Sequence, residues 1–447
     1  MITRQESQEE IAEFALSEAL RHGSSDASIL CAKANDSQVR FANNEITLVN
    51  NVRDITLDIY LAKEKKRIVG STFNPTEEGI KRFITNLVRS CEALPVSEDY
   101  VPLPQGPFSY RDHSNFDSQI ADAPLVEFVR DAIDQATGAG AVRASGSLNT
   151  EFTELFMITS AGSRGKDRQT QILLNVRAFA DDNASGHGLS CSSYMADFHP
   201  GEAGRRAGEF AKRALNPKQV TEGKYNVVFS PTVVSNILPV GSSASAFAIE
   251  SGNSFLVDKL GKGVAIDALT VEDYGVYDHG LGGRVFDDEG VPTGINEIID
   301  KGVFQTILHN SSTAKKFGKD KSTGNAGIIA PRPTSLVFNA GNASLEEMIH
   351  ETGEGLFVTN NWYTRYQNMQ SGDYSTVPRD AAFRIQGGEI SEPVAGFRLS
   401  DSVPRQLLNI EMISRDRDWI KWWEVTTPTL APAMMIKEVG VTRAVGS

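Results

Sequence analysis

Apolar residues follow a helical rhythm at the start of the chain and switch to a strand rhythm soon after it. Ile11, Phe14, Ala15 and Ala19 fall on one helical face, behind the capping-box pattern Thr3-Arg-Gln-Glu6 and ahead of Gly23, which is placed to stop the helix. Period-two alternation then runs through Val39 and Phe41, across an Asn43-Asn44 turn into Ile46 and Leu48, and on through Ile55, Leu57, Ile59 and Leu61. This predicts a meander with one buried face. Helical spacing returns at Ile80, Phe83, Ile84, Leu87, Val88 and Cys91, with Asn74 read as N-cap, Pro75 as the first helical residue and Glu77 as a first-turn acid. Residues 93–110 are proline-rich and irregular, which marks a boundary.

A second helix is expected from Pro124, with Leu125, Phe128, Val129, Ala132, Ile133 and Ala136 on one face and a stop at Gly138-Ala-Gly140. Strand runs follow at residues 142–150, 155–160, 169–180 and 189–198, with the polar cluster 181–188 as a turn, and then a helix over 203–215. The next section opens with a short apolar strand, Tyr225-Asn-Val-Val-Phe229. Ser230 is placed to cap a helix there and Pro231 to start it. Beyond that point glycines punctuate strand-like runs, with short helical stretches at 313–317, 344–350 and 405–413. The pattern predicts an α+β protein: an N-terminal α+β domain over 1–105, a middle domain of antiparallel strands with helices over 106–222, and a large mainly-β C-terminal domain over 223–447.

At 447 residues the chain is long enough for two or three such domains. Its formal charge of −13 opposes direct binding to nucleic acid, whose affinity comes largely from Lys and Arg displacing counterions. The basic cluster Lys63-Glu-Lys-Lys-Arg67 reads as a solvated turn. No apolar run reaches the ~20 residues of a membrane span, and the first ten residues lack the apolar core of a signal peptide, so a cytoplasmic location is expected. Cys31, Cys91 and Cys191 are odd in number and widely spaced, which fits buried, reduced thiols.

The candidate chemistry is mostly negative. His187, Cys191 and His199 are metal-capable types, but they lie in or near a glycine-rich turn without a spacing that fixes a tetrahedral site. His350-Glu351 begins the zinc helix motif, yet the second histidine is missing and Gly353 interrupts the helix. Asp287-Asp-Glu289 lacks the alternating ligands of a calcium loop, and glycines 280, 282, 283 and 290 do not make a dinucleotide fingerprint. Trp419, Trp422 and Trp423 fit a subunit contact or aromatic burial within one domain, and the sequence leaves both open.

The order of segments nevertheless resembles the TldD/PmbA family across nearly the whole chain. Gly23-Ser-Ser-Asp-Ala-Ser28 and the strand around 39–46 are similar to the family's amino-terminal start. The specific match lies later, in residues 225–231, in 285–293 within Gly280-Leu-Gly-Gly-Arg-Val-Phe-Asp-Asp-Glu-Gly-Val-Pro-Thr293, in Ser322-Thr-Gly-Asn325, in 355–359, in Gly372-Asp373-Tyr374 and in 387–393. Active members resemble metallopeptidases that carry His-Glu-x-x-x-His on the helix after the 225–229 strand and a later cysteine as third zinc ligand. Counted from Ser230-Pro231, those positions fall on Pro239, Val240 and Ala244, and no cysteine follows Cys191.

The resemblance therefore implies the PmbA/TldE-like branch, with no metal and no catalytic group in this chain. Zinc is expected in a TldD-type partner, the pair forming a heterodimeric peptidase for unfolded or extended peptide. Within the matched blocks and the tryptophan cluster, Arg284, Asp287, Glu289, Thr323, Asn325, Trp422 and Trp423 are the candidates for shaping a cavity or interface. The alternative is a non-catalytic homodimeric binding or regulatory protein of the gyrase-modulator type, acting through protein partners. A third reading is an independent enzyme built around His279, Asp287, Glu289 and His309.

Overall fold

The computed structural model describes residues 7–112 and 115–443, so the Thr3-Arg-Gln-Glu6 capping pattern lies outside it. The first helix, α1 (Gln8–Arg21), opens on Ser7: its side chain accepts from Glu10 N, and the Glu10 carboxylate accepts from Ser7 N at 2.8 Å. The helix ends at His22, with Gly23 beyond it at φ +82°.

Strands β1 (Asp26–Ala42) and β2 (Glu45–Lys63) form a hairpin over the expected Asn43-Asn44 turn, where both asparagines take positive φ. Glu64 and Lys65 turn the chain into β3 (Lys66–Thr72). Helix α2 (Glu77–Glu92) is capped by Thr76, whose hydroxyl accepts from Gly79 N at 3.1 Å. Asn74 stands one turn outside the helix and its side-chain oxygen holds the Thr76 hydroxyl at 2.8 Å, which corrects the expected cap. The predicted face of this helix is buried on Ile80, Ile84, Leu87, Val88 and Cys91.

After α3 (Leu125–Gly138) the four expected strand runs condense into β4 (Arg143–Thr159), β5 (Arg164–Phe179) and β6 (Ser185–Ser192). The polar stretch around Glu151 does not end β4, because that carboxylate accepts a hydrogen bond from Gln171 on the neighbouring strand. The turn after β5 is shorter than expected: Asp181 takes Asn183 N and Ala184 N, and His187 already belongs to β6. Helix α4 (Pro200–Arg213) packs on α3 and β6.

Among the described residues β1 to β6 form one antiparallel sheet in the order β3-β2-β1-β4-β5-β6, which runs across the expected division at residue 105. Helices α1 and α2 bury one core with Ile29, Leu57, Ile59 and Cys31, and α3 and α4 bury another with Leu148, Leu174 and Val176.

The remainder is a mixed sheet of 14 strands with short helices among the described residues. Strand Gly223–Phe229 lies near its centre, parallel to Gly355–Val358 and antiparallel to Val425–Arg443. Ser230 caps α5 (Pro231–Ile237) as expected, its hydroxyl also donating to Thr359 O at 2.7 Å. The expected helix over 405–413 is helical only over Val403–Leu408. From Ile410 the chain pairs with Val425–Arg443, because isoleucines at 410 and 413 serve a sheet face as well as a helix face. The structure is α+β throughout, with strand dominating after residue 223.

Candidate functional site

Pro231 and Ser230 start α5 cleanly, but Leu238 and Pro239 stop it after two turns, and a separate short helix, Val240–Ser243, follows. Val240 and Ala244 are both 0% exposed and belong to the main core of the large sheet, with Leu308, Leu336 and Val271. Ala244 is held on both sides, its N–H bonding Val240 O at 2.9 Å and its carbonyl accepting Leu308 N at 2.9 Å. Gly241 lies so close to Leu336 that an added Cβ would sit 2.6 Å from its side chain. A ring nitrogen and a carboxylate at these positions would lie in hydrocarbon, so the residues present do not fit a zinc ion.

The 280–293 string and residues 322–325 fold into one knot of loops, which draws Arg284, Asp287, Glu289, Thr323 and Asn325 together. Asp287 turns its carboxylate inward: Oδ1 accepts from Glu289 N at 3.0 Å and Val291 N at 2.9 Å, and Oδ2 from Ala326 N at 2.9 Å. Burial first, and then the neighbouring Glu289, push this carboxyl up from its ordinary value. Glu289 accepts from the N–H and hydroxyl of Ser311 and so holds the start of helix Ser311–Lys316, and burial raises its pKa too. One glycine from each part of the knot shows why glycine is needed there. Gly290 has φ +82° with an added Cβ 2.8 Å from Ser163 Cβ, and Gly324 has φ +72° with its Cβ 2.6 Å from Pro292 O.

Asn325 links the knot to a residue the sequence did not single out. Its Nδ2 donates to Asp273 Oδ2 at 2.6 Å, and Asp273 also accepts from Thr334 N and Ser335 N. Asp273 is fully buried and pushed up to about 6 by that burial, against the pull of these bonds. The one signal for it was its alternation with Val271 in strand Val271–Tyr274. Thr323 pairs with the His309 backbone, its hydroxyl accepting from His309 N at 2.8 Å. The first sheet is tied to the same knot, since Ser28 Oγ donates to Asp288 O at 2.9 Å, Tyr110 Oη to Gly290 O at 2.7 Å, and Asp167 accepts from Val285 N at 3.0 Å.

Arg284 crosses the knot. Its Nη1 meets Asp288 Oδ1 at 2.7 Å, while Arg332 reaches the other oxygen at 3.2 Å. The two arginines line a cavity of about 280 Å³ with Gln169, Asp287, Asn325 and Lys421, and a second of about 410 Å³ with Tyr60, Val69 and Ile329 on the first sheet's side. Nothing in the sequence pattern marked Arg332, Lys421 or Gln169, which come from three distant segments and meet only through the sheet topology.

The remaining candidates lie elsewhere. Trp422 is 7% exposed and packs on His187, with ring centroids 4.9 Å apart, and on Trp362, whereas Trp423 is 53% exposed at the hairpin tip beside Tyr363. His187 sits in a strand rather than a turn, pairs with Asn175 Oδ1 at 3.1 Å and is pushed down to about 4 by burial. Cys191 donates to Lys421 O at 3.2 Å, and burial raises its thiol to about 11. No group of three metal-capable side chains comes together among the described residues. His279 stacks on Tyr194 in a separate cavity beside α4, and His309 pairs with Thr313 Oγ1, so neither joins Asp287 and Glu289 as a unit.

This is an α+β framework with a buried loop knot behind a polar cavity and a hydrocarbon plug after the central strand. Residues 117–215 match the family profile described as the PmbA/TldA metallopeptidase central domain, and residues 222–443 match the corresponding C-terminal domain. The chain belongs to the TldD/PmbA family. It is 27% identical over 438 residues to the metalloprotease PmbA of Escherichia coli O157:H7, covering 93% of this chain and 94% of that one. It is 28% identical over 314 residues to a metalloprotease of Methanothermobacter thermautotrophicus, covering 67% of this chain and 68% of that one. The fold is similar to TldE from Thermococcus kodakarensis, with TM-score 0.86, 19% identity, and 97% of this chain and 100% of that one covered. It is also similar to a candidate modulator of a DNA gyrase from Thermotoga maritima, with TM-score 0.85, 22% identity, and 98% and 100% covered.

Proposed function

We propose that this chain is the metal-free, TldE-like subunit of a two-chain peptidase, in which a TldD-type partner supplies zinc and this chain helps to enclose an unfolded or extended peptide. The observation that carries the reading is that the positions reached by counting the family's zinc motif from Ser230-Pro231 hold Pro239, Val240 and Ala244, the last two sealed in the core. The loop knot supports it as well. Asp287, Glu289 and Asn325 have their side-chain oxygens or amide committed to backbone and side-chain partners, so Asp287 and Asn325 rigidify the wall of a cavity, Glu289 the loops behind it, and none is set up to move a proton.

Peptide capture through exposed strand edges would use backbone hydrogen bonds and so accept many sequences. Trp423 and Tyr363 supply the exposed aromatic surface suited to the partner contact. The test is co-expression with a subunit carrying His-Glu-x-x-x-His. A stable complex with zinc in that subunit alone, cleaving peptide better than either chain by itself, is the expected result; full cleavage by the zinc-bearing subunit without this chain would remove the proposal.

A further inference from the structure

We propose that two copies of this chain pair through the free edge of β2, over residues 48–56, in an antiparallel register centred on Val52. This goes beyond the two-chain reading above and does not depend on it.

β2 has two neighbours for only part of its length. It pairs with β1 from Glu45 to Ala62, but β3 joins it only at Leu57, opposite Thr72. Upstream of Leu57 no other strand bonds to β2 among the described residues, which leaves N–H and C=O groups unpaired along its outer side. The register with β1 passes from Arg40 opposite Leu48 to Phe41 opposite Ile46, so Thr47 bulges out and residues 48–56 form the regular part of the edge.

Nothing on this stretch blocks pairing. It holds no Pro and no Lys, the residues that commonly blunt an edge. The helices leave it bare as well. The core under α1 and α2 reaches back along the strand as far as Ile55, and the core under α3 and α4 touches it at Ile46. Between them Leu48, Val49 and Val52 are 43%, 54% and 39% exposed, and Phe73, directly after Thr72, is 72% exposed.

The side chains of the edge fit a second copy of the same edge. Two-fold antiparallel pairing keeps every residue on its own face of the joined sheet, so a residue can meet only those an even number of positions away. With the axis at Val52 the whole stretch finds partners: Val49 meets Ile55, Leu48 meets Thr56, and Val52 meets its own copy. Asn51 then stands opposite Arg53 and Asn50 opposite Asp54, pairs that can hydrogen-bond, and no like charges meet. An axis at Asn51 sets Leu48 against Asp54 and Val49 against Arg53, and an axis at Arg53 sets that arginine against itself. An axis at Asn50 engages only residues 48–52 before the bulge intervenes. The backbone alone would accept any strand; this side-chain pattern selects a second copy.

In sedimentation velocity the isolated full-length chain should pass from monomer to dimer across roughly 1–100 μM, the range of a small edge-to-edge contact. Val52→Lys puts like charges face to face on the axis and should weaken the dimer roughly tenfold or more, with the melting point nearly unchanged because the side chain is exposed. Val52→Cys reads the register. Its two copies face each other at a Cα spacing of about 4.5–5.5 Å, which a disulfide spans, so oxidation should yield a covalent dimer. Asn50→Cys is the control, since its two copies lie about 14 Å apart along the strands and should stay unlinked. A chain that remains monomeric at the top of the concentration range, a dimer indifferent to Val52→Lys, or cross-linking of Asn50→Cys in preference to Val52→Cys would overturn the inference. So would loss of binding to a TldD-type subunit in Val52→Lys with the isolated chain monomeric, which assigns the edge to that subunit. Zinc content and cleavage of the reconstituted pair are read separately, so this pairing can fail while the two-chain reading stands.

Discussion

Val240 and Ala244 are core-packing positions. Both side chains are fully buried in hydrocarbon, so Val240→Glu places an unpaired carboxylate in the core. It is expected to lower unfolding stability by about 3–5 kcal/mol, measurable by denaturant titration. His187 gives a pH signature of a different kind. It is buried and neutral in the native state, with its pKa lowered from the ordinary 6.5 to about 4. Between those pH values the unfolded chain binds a proton that the folded chain does not, so stability falls as pH drops through the window and is restored above it. Thermal melts should show His187→Gln losing about 3 kcal/mol less than the parent chain between pH 6.5 and 4. A parallel slope in both proteins would count against the buried-neutral assignment.

The elements show which features local sequence carries. The Asn43-Asn44 hairpin, the buried stripe of α2 and the Ser230-Pro231 entry to α5 were legible because a turn residue, a helical period and a capping pair each act within a few residues. The cap at Thr76 instead of Asn74 turned on which of two nearby oxygens reaches Gly79 N, and the residues after Leu408 joined a strand because sheet pairing overrode a pattern compatible with both states. Of the candidate site, the glycine and acid string could be read as a unit, whereas Asp273, Arg332 and Lys421 could not, since only strand order brings them to one place. The tryptophan cluster divides in the same way. Trp422 packs between two strands' side chains and Trp423 stands at the hairpin tip. Trp422→Ala should cost about 3–5 kcal/mol of stability, whereas Trp423→Ala should leave the melting point nearly unchanged and weaken association with a TldD-type subunit. Comparable destabilisation by the two changes would contradict this division.

Across the whole molecule, the first sheet and the large sheet are joined through the loop knot, where Ser28, Tyr110 and Asp167 from the first sheet's region hold the 285–290 backbone. No helix among the described residues is long and apolar enough to cross a membrane. The family framework is kept across both matched domains, with Val240 and Ala244 sealed in the core of the large sheet and a polar cavity in front of the loop knot. The most direct test is metal analysis and peptide cleavage on a complex reconstituted from this chain and a subunit bearing His-Glu-x-x-x-His. The account predicts one zinc site per pair, lost when the partner's histidines are replaced, with cleavage that requires both chains. Stoichiometric zinc bound by this chain alone, or peptide cleavage by it in isolation, would contradict it.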